Sequence, residues 1–373
     1  MPKLFYGNFS FEHQLAGDYA GELPGRLRRL DAEMAAVWEA VAETGDCIWM
    51  PERPNERPDG LTLCPWGWSA EVVRFARKSG LRIDAPPLDV VRQANGRGFS
   101  FDLERKFGCG PEDAAVGESL DELHAAIKEA DGVDERWVVK AEFGMSARER
   151  VLGQGNDIPE PDRNWIRKRL AADGWVYFEP WLNREAEAGL QFTVGTDGQV
   201  SFDGTTLLLT DRHGRYLGSR FASDATFDDE WGDAIDVGLQ VAARLSAMGY
   251  FGPLGIDAMR YRDSASNQRL RAIQDINARY TMGAMALGFR RRLKPGEFGS
   301  WLHVRWPCAE TDASRVWSDD LRDQLPSGVR MDVTSPFVVG EHPVAHGTLL
   351  LIADDSHSLE AAEAVTVTRL TGS

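Results

Sequence analysis

Apolar and polar positions alternate in short blocks that mark strands and amphipathic helices along the whole chain. Leu27, Leu30, Met34, Trp38 and Val41 recur at helical spacing, which predicts one amphipathic helix over residues 26–43. Residues 3–8, 46–50 (DCIWM) and 81–83 read as strands, 69–78 as a helix stopped by Gly80, and 51–65 as a Pro-rich loop. That alternation predicts a small α/β lobe over residues 1–92. Asn95-Gly96-Arg97-Gly98 reads as a turn opening a helix over 99–107. Ser119 and Glu122 form a capping box that starts a helix running to Ala130. Next come a strand at 137–141 (WVVKA), a mobile loop at 142–150, a helix at 161–172 and a strand at 175–178 (WVYF). Residues 191–194 and 200–209 read as antiparallel strands about the turn at Asp197-Gly198. A helix over 234–248 ends at Gly249, and 348–352 and 364–368 read as closing strands.

The stretch 252–279 organises the rest. It predicts two strands joined by a polar turn near 264–266. Side chains two apart on a strand share a face, so Asp275 and Asn277 point the same way, and the turn brings Asp257 opposite Asp275. Two carboxylates that close repel each other unless a cation lies between them. Oxygen-only ligands favour a hard cation such as Mg²⁺. Arg279 follows two residues later, placed for an anion. The competing reading is a solvated turn with stray charges.

Composition narrows the classes. The chain of 373 residues is 43% hydrophobic and 27% charged, ordinary for a globular protein of two or three lobes. A formal net charge of −16 argues against a nucleic-acid or anionic-membrane partner. Cys47, Cys64, Cys109 and Cys308 form no CxxC pair, so reduced thiols are expected. The first residues, MPKLFYGNFSFEHQ, lack a basic-then-apolar signal pattern, and no apolar run approaches the ~20 residues of a membrane span. A cytoplasmic location is the expectation.

The chain contains no GxxxxGK[ST] loop, no GxGxxG after a strand and no GxSxG elbow. His342 and His346 are four apart, but Pro343 between them argues against a helical metal pair. CPWGW at 64–68 reads as packing.

Asp-x-Asn-x-Arg at 275–279, preceded by Gly-Ile-Asp at 255–257, resembles the ATP-grasp superfamily, with Asp275 where that family usually has Glu. WVVKA with the following Gly/Ser/Arg loop is similar to its lysine strand and phosphate-covering loop. Arg97 stands where many members have a phosphate-contacting Lys, and VYFEPWL resembles the hinge that faces adenine. The motifs span about residues 93–285.

The resemblance implies an α/β (α+β) ATP-grasp architecture. An N-terminal α/β lobe (1–92) would precede an ATP-grasp domain over 93–300, with a lid at about 130–182, and 301–373 would complete or cap the core. It implies ATP and one or two Mg²⁺, with Mn²⁺ able to substitute, as cofactors. The metal ligands would be Asp257, Asp275 and Asn277. Lys140 and Arg97 would hold phosphates, Gly144, Ser146 and Arg148 would close over them, and backbone of Glu179, Pro180, Trp181 and Leu182 would meet adenine. Glu187 or Gln191 would hold the ribose, and Arg279 would face the reacting phosphate or oxyanion, with Lys140 as the second catalytic residue. Arg220 is a candidate carboxylate clamp, with a structural role preferred.

The expected activity is a carboxylate–amine ligase working through an acyl phosphate on small-molecule substrates. Phosphoryl or carboxyl transfer, or a non-catalytic nucleotide-binding protein, are the alternatives. A homodimer through the first lobe is a habit of that family.

Overall fold

The computed structural model describes residues 1–17, 23–50, 60–130, 132–144, 149–306 and 311–371. The first lobe holds β1 (Lys3–Tyr6), β2 (Cys47–Ile48) and β3 (Thr62–Pro65) in a parallel sheet of order β2-β1-β3. It carries α1 (Phe11–Ala16), α2 (Gly25–Glu33) and α3 (Ala70–Lys78). The expected helix over 26–43 breaks at Met34, after which residues 35–40 tighten into a 3-10 helix. The apolar spacing survives the break and puts fully buried Trp38 on the Phe5 ring, 4.7 Å between centroids. A strand, β3, occupies the end of the expected loop, while residues 81–83 make only an isolated bridge from Arg82 to Thr62.

Two helices, α4 (Leu88–Ala94) and α5 (Arg97–Phe107), lead to an antiparallel four-stranded sheet of order β4-β7-β5-β6. Its strands are β4 (Ala115–Gly117), β5 (Arg136–Lys140), β6 (Arg150–Gln154) and β7 (Val176–Pro180), covered by α6 (Leu120–Glu129) and α7 (Glu160–Asp173). The Ser119 cap forms at α6: Ser119 Oγ accepts the Glu122 N–H at 3.2 Å, while the Glu122 side chain reaches back one residue beyond the cap to accept the Glu118 N–H at 2.8 Å.

The third sheet has eight strands, and its leading members are β8 (Asn183–Val194), β9 (Val200–Thr210) and β10 (Tyr216–Ala222). Helix α8 (Gly232–Ala247) precedes β11 (Gly252–Arg262) and β12 (Gln268–Asn277), and α9 (Met282–Gly288) follows them. The last segment adds β13 (Phe298–Arg305), α10 (Thr311–Gln324) and β14 (Arg330–Val333). It continues with a ribbon of β15 (Val338–Val339) and β16 (His342–Pro343), then β17 (His346–Ala353) and α11 (Ser356–Thr371). The sheet order is β12-β11-β8-β9-β10-β13-β17-β14, so residues beyond 298 extend the same sheet that carries the hairpin.

The strand expected at 364–368 is helical. Asp355 accepts the Ser358 N–H and hydroxyl at 2.8 and 2.7 Å and starts α11, whose Leu359 and Ala362 pack on Leu349 and Leu351. The β-branched run Val365–Val367 is thus overridden by a cap and by packing. Strands β6 and β10 had no counterpart in the sequence reading. Arg220, on β10, is a structural ion pair: its guanidinium meets Glu363 at 2.6 Å and Glu360 at 2.7 Å on α11.

Candidate active site

The hairpin forms in the expected register. Asp257 lies opposite Asp275 and Gly255 opposite Asn277, while Gly189 of β8 flanks Asp257 on the other side. Burial pushes the Asp257 carboxyl up to about 8, and the charges of Asp275 and Glu187 push it the same way. The Arg279 charge and a hydrogen bond from Asn277 oppose that rise. Asp257, Asp275 and Asn277 therefore gather two carboxylates and an amide in one volume, where one acid resists ionising and Arg97 lies 3.9 Å from the other. That donor chemistry fits a hard divalent cation. Among the described residues no group of three or more His, Cys, Asp or Glu side chains could hold a metal.

Beside this set lies a cavity of about 260 Å³ between the four-stranded sheet and the hairpin sheet. Val138, Lys140 and Arg150 line one wall, Glu187, Met259, Arg271 and Gln274 the other, and Pro180, Trp181 and Leu182 the connector. Lys140 ends β5 and is buried with its ammonium 2.6 Å from Glu179 Oε2. Burial lowers its pKa to about 8, helped by the nearby charges of Arg97 and Arg271 and resisted by Glu179. Burial alone would raise the Glu179 carboxyl, but Arg271 and Lys140 hold it well below the usual carboxylate range. Arg271 meets both Glu179 oxygens at 3.0 Å and also grips Glu104 of α5, with its Nη2 3.0 Å from Oε2. Neither Arg271 nor Glu104 was singled out in the sequence.

The other expected residues distribute unevenly. Arg97 lies 3.9 Å from Asp275 and donates through Nε to the Ala141 carbonyl, so it stands between the acids and the lysine strand. Glu187 lines the cavity, where Arg184 holds it at 3.0 Å and Thr210 donates to it at 2.8 Å. Gln191 shares its face of β8 but accepts a hydrogen bond from Thr281 at 2.6 Å and lies off the cavity wall. Of the two ribose candidates, only Glu187 reaches the cavity.

The Trp181 backbone is already engaged. Its N–H donates to Arg136 and its carbonyl accepts from Val133, each at 2.8 Å, so what it offers the cavity is its ring. Gly144 ends the described part of its loop, and Ser146 and Arg148 lie outside the described residues. Arg279 is not on this cavity. It pairs with Glu12 of the first lobe at 2.6 Å and lies over the Trp66 ring. Arg150, Arg184 and Arg212 were missed as cavity residues, because only the fold gathers them.

No protein-family model matches the chain, and no curated protein does either. Solved structures match over nearly its whole length. N5-carboxyaminoimidazole synthetase from Staphylococcus aureus, complexed with ADP, has a TM-score of 0.56 at 11% identity, covering 98% of this chain and 96% of its own. The N5-carboxyaminoimidazole ribonucleotide synthetase of Thermus thermophilus has a TM-score of 0.55 at 15% identity, covering 100% and 99%. A biotin carboxylase complex from Campylobacter jejuni has a TM-score of 0.55 at 13% identity, covering 99% and 91%.

The chain has the ATP-grasp fold. The fold class expected from the motifs is borne out, and at these identities the likeness is one of fold. Within the ATP-grasp fold the cavity lies between the lid-like four-stranded sheet and the hairpin sheet. No helix among the described residues is long and apolar enough to cross a membrane.

Proposed function

We propose that the protein is an ATP- and Mg²⁺-dependent ligase that joins a carboxylate to an amine. The observation that carries this reading is the in-register pairing of Asp257 with Asp275 beside a cavity lined by Lys140, Arg150, Arg184 and Arg271. A triphosphate needs cations along its length and an oxygen-ligated metal at its reacting end. In the proposed reaction a substrate carboxylate oxygen attacks the γ-phosphorus and the bond to the β-phosphate oxygen breaks, giving an acyl phosphate and ADP. An amine nitrogen then attacks the acyl carbon, the C–O bond to phosphate breaks, and the nitrogen releases its proton.

Bound Mg²⁺ would be held by Asp257, Asp275 and Asn277 and would neutralise phosphate charge. Lys140, released from Glu179, would bind non-reacting phosphate oxygens, and Arg97 would stand behind it. Glu187 would accept from the ribose hydroxyls, and the Trp181 ring with Val138 and Met259 would hold the adenine. Positioning and charge neutralisation would supply most of the rate.

A screen of small acids and amines for Mg-ATP-dependent ADP formation tests the activity. Asp275→Ala tests the metal assignment: turnover should fall by at least ~100-fold, the scale of losing a group that stabilises transition-state charge. Undiminished ligation by that variant would sink the metal assignment.

A further inference from the structure

Two of the cations assigned to phosphate are each paired with an acid. Lys140 is held by Glu179, 2.6 Å away. Arg97 differs in the acid it meets: its Nη2 lies 3.9 Å from Oδ2 of Asp275, one of the proposed metal ligands. Among the described residues Asp275 forms no other ion pair.

Arg97 is built into this position. Its N–H donates to the Glu142 carbonyl at 3.0 Å and its Nε to the Ala141 carbonyl at 3.3 Å, so the segment that follows Lys140 grips it twice. The Glu142 carboxylate is fixed in turn by Tyr177 and Trp175, which donate to it at 2.6 and 2.9 Å. Gly96 and Gly98 let the turn come this close, because a β-carbon on either would collide with the Glu142 carboxylate or the Tyr177 hydroxyl. On its other side Asn95 donates to the Val91 carbonyl at 2.7 Å and accepts the Ala278 N–H at 3.1 Å, next to Asn277. The Arg97 side chain is 12% exposed, against 36% for that of Asp275. Its guanidinium is therefore a fixed positive charge at the rim of the oxygen set, where it repels a divalent cation.

We propose that Arg97 makes the metal site selective for the metal–nucleotide complex, by serving as the counter-ion of Asp275 in the free protein and repelling a divalent cation that arrives alone. The proposal rests on the ligase reading above. A nucleotide phosphate offers Arg97 a second anion, and the cation that comes with it takes over Asp275. Arg97 and the cation then share phosphate oxygens instead of competing for one carboxylate. A cation arriving alone brings no such anion and must bind Asp275 against a guanidinium that cannot withdraw. Lys140 imposes no such condition, because its acid, Glu179, is not one of the oxygen ligands.

The test uses the full chain and two separate titrations. Mn²⁺ binding without nucleotide is followed by the electron paramagnetic resonance of free Mn²⁺, and ATP binding is followed by calorimetry in EDTA. Arg97→Gln should bind Mn²⁺ at least ~5-fold more tightly than the unaltered chain, the low end of a coupling between two sites. It should bind ATP in EDTA ~10-fold more weakly, the scale of a lost charged hydrogen bond. These opposite signs separate the role from a structural one, which would weaken both. Arg97→Met, which keeps the aliphatic stem, should behave the same way, whereas Arg97→Lys, which keeps the charge, should leave Mn²⁺ binding weak. Asp275→Ala added to Arg97→Gln should abolish the gain. Melting curves check that each variant folds.

Mn²⁺ binding that is unchanged or weaker in folded Arg97→Gln and Arg97→Met would overturn the proposal, as would a gain that survives the loss of Asp275. No Mn²⁺ bound by Arg97→Gln at millimolar concentration would overturn it together with the metal assignment. Tighter Mn²⁺ binding in that variant, with no ADP formed from any acid and amine, would leave the proposal standing and overturn the ligase reading.

Discussion

Lys140, Glu179, Arg271 and Glu104 form one chain of alternating charge, buried but for the half-buried Lys140, that crosses from β5 through β7 to β12 and α5. Removing one member of such a chain leaves an uncompensated buried charge, which costs more than the intact pair contributes. Arg271→Met should therefore lower stability by roughly 3–5 kcal/mol, read as a shift in urea midpoint, because Glu104 and Glu179 would face each other with Lys140 and the weaker charge of Arg97 as counter-charges. Adding Glu104→Gln to that variant should restore part of the loss. No recovery would mean that the cost is one of packing.

Lys140 was legible from its place at the end of WVVKA. Its partner network was not, since Glu104 and Arg271 stand 167 residues apart and neither lies in a local pattern. For the same reason the ion pair of Arg279 with Glu12, on a lobe recognised by architecture alone, had no signal in the sequence.

Elements were legible where a local device sets them. The cap at Ser119 and the polar turn of the hairpin act within a few residues, and both α6 and the Asp257–Asp275 register follow. Elements set by distant packing were not: β6 exists because it pairs with β5, and α11 because the last sheet needs cover.

The β5–β6 pair also constrains the four-stranded sheet. Gly153 lies opposite Trp137, and a β-carbon there would fall inside the Trp137 ring. The ring itself is pinned by its Nε1 donating to the Gly155 carbonyl at 2.8 Å. Gly153→Ala should cost roughly 1–3 kcal/mol by overpacking. Hydrogen exchange should locate the loosening in β5 and β6, and KM for ATP should rise. Unchanged protection of β5 would mean that the ring swings aside freely.

At the scale of the whole molecule, sign and place of charge part company. The chain carries a net −16, which says nothing of where the cations gather. Among the described residues, folding brings Arg136, Lys140, Arg150, Arg184, Arg212 and Arg271 around the cavity, against Glu179 and Glu187. Two of these cations also clamp the turn between β9 and β10 from opposite sides: Arg150 donates to the His213 carbonyl, and Arg184 to that of Asp211 at 2.9 Å.

A bound triphosphate would lie within a few ångströms of the cavity cations and mostly further than a Debye length, about 10 Å at 0.1 M salt, from the surface acids. Above that ionic strength the repulsion from the acidic exterior is already screened, and what remains to be weakened is the attraction inside the cleft. The ATP dissociation constant should therefore rise severalfold as NaCl is raised above 0.1 M, despite the negative charge of both partners. Arg212→Gln should flatten that dependence while leaving the melting temperature nearly unchanged, since among the described residues Arg212 has the neighbouring His213 ring, at 3.0 Å, as its hydrogen-bond partner. Titration calorimetry across a salt series decides the matter. A dissociation constant that stays flat or falls with salt would show that the exterior charge governs, and that the cavity cations are spent on one another's acids rather than held for phosphate.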